Sequence, residues 1–391
     1  MPALHTAEGR VLDTWVGLRL FTMLWATLSS VLRPITPRES EIALWPPTDS
    51  FLIWLERVLI APWQRWDSNY FLAVIERGYR SGDGTLAFHP LLPVLSWPLT
   101  LAGLNGFVAL WAIASICSAF GTMAVFRLAR LDYPEKTSEM ACTLLLAFPV
   151  SAILFAPYTE PLWILCAALS LHASRQGRWW QAGLWASAAT LTRQQGLFLV
   201  APLVCEMWQS GARFDIRRYV PCALPAVTYI GWMGYRLLAF SDLRPDFSGW
   251  NAFVYSTLLS SESGKVVPHQ AMIAPWNALA LGFQNLSSSV LNNVTNLGLA
   301  AVFVALTVVA WPRLRASDRI LTALIYAASF SYYTGPEKPY MGLPRHLLLA
   351  FPVFIGAAPA LAGARGHIVL ACCVPLFLFV LSAYVLKAWV P

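Results

Sequence analysis

The sequence is short of charge. Only 12% of its 391 residues are Asp, Glu, Lys or Arg, against 57% hydrophobic ones. Ordinary soluble domains carry roughly a quarter charged residues. A chain this long could not clothe a water-facing surface with so few, so lipid must be the solvent for much of it. A glycine-rich P-loop and a dinucleotide fingerprint are also missing, which argues against a soluble nucleotide-sugar substrate. Seven cysteines, at 117, 142, 166, 205, 222, 372 and 373, form no CxxC pair. They read as small buried hydrophobes and exclude a disulfide framework or a zinc site. No internal repeat or low-complexity tract interrupts the apolar pattern. The formal net charge of +7 has no basic stripe behind it, so nucleic acid is not an expected partner.

What is present suits a polytopic all-α membrane protein. Mean hydropathy is +0.56, and the 18 Trp and 13 Tyr favour membrane interfaces. Apolar stretches that read as spans fall near 15–32, 107–127, 140–156, 159–174, 179–193, 196–209, 219–240, 291–311, 319–334, 346–362 and 367–388, about eleven in all. The first, Trp15 to Leu32, lacks a small-residue cleavage site and is expected to be retained. Basic residues favour alternate loops: Arg127, Arg130 and Lys136; Arg175 and Arg178; Arg213, Arg217 and Arg218; Arg313, Arg315 and Arg319; and Arg365. The opposite short loops offer Arg193, Lys338, Arg345 and Lys387. This asymmetry predicts a cytoplasmic amino terminus and puts two long segments, 33–106 and 241–290, outside. The first of these is the most polar region, with Arg38, Glu39, Glu41, Asp49 and Asp67 among its charges. Its short apolar stretches, Phe51–Leu55 and Leu91–Leu104, are expected to lie along the membrane as surface helices. Residues 1–391 read as one transmembrane domain.

Chemistry is sought among polar groups at the outer face, because ionisable residues at membrane depth are costly and usually functional. Four clusters gather there. They are Arg65-Trp66-Asp67-Ser68-Asn69-Tyr70 with Tyr79 and Phe88-His89-Pro90; Tyr158-Thr159-Glu160-Pro161; Thr192-Arg193-Gln194-Gln195-Gly196; and Lys338-Pro339-Tyr340 running to Pro344-Arg345-His346. Taken singly, each has a structural reading: Asp67 or Glu160 as a helix cap, Arg193 or Arg345 as a snorkelling interface anchor. Taken together, two carboxylates and two arginines suit a reaction with a general base and a phosphate leaving group. Asp67 and Glu160 are the catalytic candidates. Arg193 and Arg345, aided by Lys338, His346 or His89, are candidates for a donor phosphate. Trp66, Tyr70, Tyr79, Tyr158 and Gln194 are candidates for the substrate cavity.

At these clusters the sequence resembles a known family. Trp66-Asp67, Gly78-Tyr79 and Phe88-His89-Pro90-Leu91-Leu92-Pro93 resemble the first-loop signature of the PIG-V family, GPI mannosyltransferase II and its bacterial relatives. So do Phe148-Pro149 leading to Tyr158-Thr159-Glu160-Pro161, the threonine-arginine turn Thr190-Leu191-Thr192-Arg193, and Leu343-Pro344-Arg345-His346 with Phe351-Pro352. The order agrees from about residue 15 to 365. The resemblance implies a GT-C glycosyltransferase fold with its site in the first outer loop. It also implies a polyprenyl- or dolichyl-phosphate-mannose donor and Asp67 as the catalytic carboxylate. Transfer would be inverting and free of metal or other cofactor. Two departures stand out: a single Asp67 follows Trp66 where several related enzymes have Asp-x-Asp, and Arg-His replaces the usual Arg-Tyr. The compact chain looks more like the bacterial branch, in the plasma membrane, with a glycolipid acceptor. Another lipid-phosphate sugar is the alternative donor. A lipid transporter or flippase is the alternative class, against which stands the lack of paired broken helices or related halves.

Overall fold

The computed structural model describes residues 6–33, 49–211, 216–240, 248–249, 266–267 and 269–388. Arg38, Glu39, Glu41 and Arg213 lie outside these residues. The described chain is a helix bundle with one two-stranded ladder, in which β1 (Ala271–Met272) pairs antiparallel with β2 (Tyr332–Tyr333). Helix α1 spans Ala7–Leu32. The segment after it holds α2 (Phe51–Leu59), α3 (Asp67–Arg77) and α4 (Leu91–Leu101), so both stretches expected as short surface helices are helical. The bundle continues with α5 (Gly106–Ala129), α6 (Glu135–Ala147), α7 (Glu160–Arg175), α8 (Trp179–Thr192), α9 (Val200–Gln209) and α10 (Val220–Ala239). The second long segment, expected as loop, contributes β1 and the helix α11 (Pro275–Gln284). Last come α12 (Val290–Ala310), α13 (Ala316–Ser331), α14 (Leu343–Leu347), α15 (Pro352–Ala357) and α16 (Ala364–Val385).

Every expected apolar segment is helical, but they are not uniform rods. Among the described residues, four helical segments are long and apolar enough to cross a membrane: Ala7–Leu32, Gly106–Ala129, Val290–Arg313 and Ala364–Val385. A fifth is α6 with the 3₁₀ turn Pro149–Phe155, bent by 86°. Proline explains the break, since it cannot donate a backbone hydrogen bond and its ring clashes with the preceding turn. Prolines also sit in the first turns of α7, α14 and α15. The expectation of about eleven simple spans therefore gives way to full-length helices mixed with shortened, broken ones. The cysteines need a correction too. Cys117, Cys142, Cys166, Cys222 and Cys373 are buried, but Cys205 is half-buried and Cys372 exposed. Cys372 shares a face of α16 with exposed Ile368 and Phe379, a face that suits lipid and needs no burial.

Helix α7 begins at Glu160 and ends at Arg175, which separates the two ends of the bundle by about 22 Å. The Arg175 end is laced by ion pairs. Arg175 donates to Asp318 and lies 3.3 Å from Glu206 and 3.4 Å from Asp132, which also pairs with Arg315. Arg10 holds Glu135 and Glu139, and Arg127 holds Glu8 at 2.8 Å. Most of these arginines belong to the basic loops, and they tie helix ends together.

One charge sits away from both ends. Arg19, midway along α1, is 5% exposed. Its guanidinium donates to the Phe155 carbonyl and, at 2.9 Å, to Ser115 Oγ; it lies 4.2 Å from the Trp111 ring and 5.3 Å from Trp63. Among the described residues it pairs with no carboxylate. Two aromatic faces and a carbonyl supply the electrostatic stabilisation instead. The contact with Phe155 fixes the end of the turn that leads to Tyr158, Thr159 and Glu160. Arg19→Met should strip that carbonyl of its partner, costing about 1–3 kcal/mol. The melting temperature in detergent should fall by a few degrees, and an unchanged melting curve would show that the contact carries no weight.

Candidate active site

The four polar clusters of the sequence meet at the Glu160 end of the bundle. Arg345, on α14, donates from Nη1 to Asp67 Oδ2 at 2.7 Å. Its Nε lies 3.2 Å from Glu160 Oε1, a charge contact without hydrogen-bond alignment. Glu160 Oε1 also accepts from Arg193 Nη1, which donates to Thr159 Oγ1 at 3.0 Å. The result is an alternating chain: Asp67, Arg345, Glu160, Arg193. Two carboxylates and two guanidiniums cancel, as buried charges must. Burial works against the Arg345 charge, but Asp67 and Glu160 outweigh it and hold the group firmly protonated.

Local structure aims each member. Arg193 ends α8 in extended conformation, with φ −157° and ψ 148°. The chain then folds back so tightly that a Cβ on Gly196 would lie 2.1 Å from the Thr190 nitrogen, so only glycine fits. Glu160 and Asp67 are the first residues of their helices. Neither caps its helix; both carboxylates are spent on arginine. Arg193 and Arg345 are largely buried, which excludes snorkelling. Neither guanidinium uses Nη2 in any hydrogen bond to a described residue.

Exposure separates the carboxylates. The Glu160 side chain is fully enclosed, whereas that of Asp67 is 22% exposed. Asp67 follows a strained residue, since Trp66 has φ 51° and ψ −117°. A non-glycine residue held so costs on the order of 1–3 kcal/mol and persists only where its surroundings over-determine it. They do here. Tyr158 donates to the Arg65 carbonyl at 3.1 Å, and Tyr384 to the Trp63 carbonyl at 2.9 Å. Arg65 itself reaches the Val385 carbonyl at 2.8 Å. Ser68 Oγ both accepts from the Arg65 nitrogen and donates to its carbonyl. Arg65 and Tyr384 are structural residues of the site that charge patterning alone did not separate from its chemistry.

The other sequence candidates lie around the ion chain. Tyr158 is completely buried, with the Arg345 guanidinium 5.1 Å from its ring; it underlies the site and does not line an open cavity. His346 follows Arg345 and packs 5.9 Å from Tyr332. His89 directs Nδ1 to the Thr190 carbonyl at 2.7 Å, and burial pushes its pKa down to about 3, so it is neutral near pH 7. Tyr79 donates to the Phe88 carbonyl and packs on Trp232. Tyr70 stacks on Phe88 at 4.8 Å. Gln194 opens the 3₁₀ turn after Arg193, and it is Gln195 that approaches Arg193. Lys338 is half-buried on a loop and joins no ion pair among the described residues.

The sequence profile of the family described as Mannosyltransferase (PIG-V) matches residues 10–218. The chain belongs to the PIG-V mannosyltransferase family. That stretch contains Asp67, Glu160 and Arg193; Arg345 lies beyond it. The rat GPI alpha-1,6-mannosyltransferase 2 is 26% identical over 218 residues, 52% of this chain and 44% of that protein. Its human counterpart is 28% identical over 209 residues, 50% of this chain and 41% of that one. The match thus spans less than half the length of these relatives. The crystal structure of ArnT from Cupriavidus metallidurans bound to undecaprenyl phosphate superposes with a TM-score of 0.50 at 15% identity, covering 92% of this chain and 62% of that one. The fold is GT-C, and this PIG-V family member is an integral membrane protein.

The ion chain carries a stability test. Arg345→Gln leaves Asp67 and Glu160 facing each other without their shared cation, and loss of one partner from a buried pair costs about 3–5 kcal/mol. Asp67→Asn with Arg345→Gln together should recover part of that loss. A double-mutant cycle in detergent with no coupling between the two positions would show that the contact does not hold the site together.

Proposed function

We propose that this PIG-V protein moves mannose from a polyprenyl- or dolichyl-phosphate carrier to a hydroxyl of a glycolipid acceptor at the extracytoplasmic face, with inversion and without a metal. The observation that carries the reading is the ion chain, in which one carboxylate stays accessible beside two arginines. Asp67 takes the proton as the acceptor oxygen attacks the anomeric carbon from the side opposite the phosphate. The new carbon–oxygen bond forms as the bond to the phosphate oxygen breaks, and the lipid phosphate leaves with one more negative charge. Arg193 and Arg345 offer that charge their unengaged Nη2 groups, and guanidinium binds phosphate oxygens through paired donors. Lys338 and His346 flank Arg345 in sequence and complete the phosphate side. Glu160 is enclosed and keeps both arginines charged and aimed; it is the second candidate for the base. A lone Asp67 already paired with arginine makes a poor divalent-metal site.

The names of the curated relatives make mannose the first sugar to test. The ligand of the structurally similar ArnT makes undecaprenyl phosphate the first carrier. The purified protein should be incubated with polyprenyl-phosphate mannose, glucose and arabinose together with bacterial membrane lipids, and products identified by mass spectrometry. Mannose transfer is the expected result; transfer of another sugar alone would reassign the donor. Asp67→Asn should lose about 10²–10⁴-fold in turnover, the usual worth of a general base. Wild-type turnover in Asp67→Asn with Glu160→Gln inactive would move the base to Glu160. Activity should survive EDTA; loss restored by magnesium or manganese would overturn the metal-free reaction.

The orientation rests on the basic loops, of whose described arginines Arg127, Arg175 and Arg315 tie helix ends at the end away from Asp67. An impermeant thiol reagent should label a cysteine introduced at Asp49 from outside, but not one at Lys136 or Arg217. Labelling at Lys136 would reverse the topology.

A further inference from the structure

A pocket of about 280 Å³ opens beside the ion chain, lined by Gln64, Arg65, Trp66, Asn69, Tyr70 and Lys387. Neither Arg193 nor Arg345 borders it. Its volume lies just below the ≈ 300–1,000 Å³ of small-molecule sites, enough for one ring and not for a chain of them. Gln64 is 4% exposed, and its Nε2 donates to Asn69 Oδ1 at 2.9 Å. That bond leaves Gln64 Oε1 as an acceptor and the Asn69 amide as a donor. If both amides are turned over, the remainder is still one acceptor and one donor. Two neighbouring hydroxyls of a sugar match such a pair, because each hydroxyl both donates and accepts. Trp66 and Tyr70 add aromatic faces, whose negative charge attracts the C–H face of a pyranose. The Tyr70 ring is already fixed on Phe88.

Building on the transferase reading above, we infer that this pocket is the acceptor subsite, and that it binds a single sugar or cyclitol ring through a vicinal pair of hydroxyls. Placement decides for the acceptor over the donor. Trp66, Asn69 and Tyr70 lie within three residues of Asp67 at the start of α3, so a ring held there is a neighbour of the proposed base, although Asp67 does not itself border the pocket. Of the arginines proposed for the departing phosphate, Arg345 pairs with Asp67 and Arg193 with Glu160, and both stand outside the pocket. Lys387, at φ 56° just beyond α16, closes the pocket. Arg65 ties that end of α16 to the first loop through the Val385 carbonyl. Recognition by two amides and two rings selects a polyol and gives no purchase to an alkyl alcohol.

The test pairs binding with kinetics. Gln64→Leu with Asn69→Leu removes both amides at nearly constant volume, a change the fold should tolerate because no partner is left orphaned. Saturation-transfer NMR with methyl α-D-mannopyranoside, methyl α-D-glucopyranoside and myo-inositol should show at least one of the three binding wild-type protein. The double variant should bind it at least about tenfold more weakly, as the loss of two hydrogen bonds implies. In the transfer assay the acceptor KM should rise by a similar factor while the donor KM stays within about twofold. Binding of none of the three, or equal binding to both proteins, overturns the subsite. A rise in donor KM alone makes the pocket a donor site and overturns the assignment to the acceptor. Ring binding lost in the double variant, with wild-type protein transferring no sugar from any lipid phosphate, would uphold the polyol site and sink the transferase reading instead.

Discussion

Everything at the site end of this molecule turns on one guanidinium. Arg345 lies between Asp67 and Glu160, which come from opposite ends of the first half of the chain. Without a cation between them, two carboxylates could not share so small and dry a space. With it, both pair to one guanidinium, and a second arginine, Arg193, joins through Glu160. The arrangement pulls together the first loop, the turn into α7, the end of α8 and the short helix α14. Buried ion chains seldom add much net stability. Their usual return is specificity of arrangement, and here that arrangement is the site.

Such a site needs a rigid floor. Arg19 holds the end of the turn from Pro149 to Phe155 from within the bundle, Tyr158 lies beneath Arg345, and Tyr384 and Arg65 bind the first loop to the last helix. These contacts meet on either side of Trp66, where the backbone adopts a conformation an L-residue seldom takes. The strained residue stands immediately before Asp67. Its conformation persists because the neighbouring carbonyls are spoken for. At the other end, Arg175 with its three carboxylates performs the same binding of helix ends.

The sequence by itself determined that the chain lives in lipid, that it is helical, and which four clusters carry the charge. These features depend on composition and on neighbours a few residues away, so they are legible along the chain. Charge asymmetry between loops was visible for the same reason. The resemblance of Trp66-Asp67 and its companions pointed to the family before any coordinates did. What only the tertiary structure decided is who touches whom. Asp67 and Arg345 are 278 positions apart, and no periodicity links them. Asp67 and Glu160 looked equivalent as caps until the fold enclosed one and left the other accessible. Tyr158 looked like a cavity residue and is buried; Arg65 looked like site chemistry and holds carbonyls. Spans expected as simple rods are shortened and bent, because a proline's effect depends on how neighbouring helices accommodate the break. Gln64 stands outside the four clusters, and Asn69 is only one member of the first. Their meaning lies in one hydrogen bond and in what it leaves unpaired, and that is a property of packing that one-dimensional order does not contain.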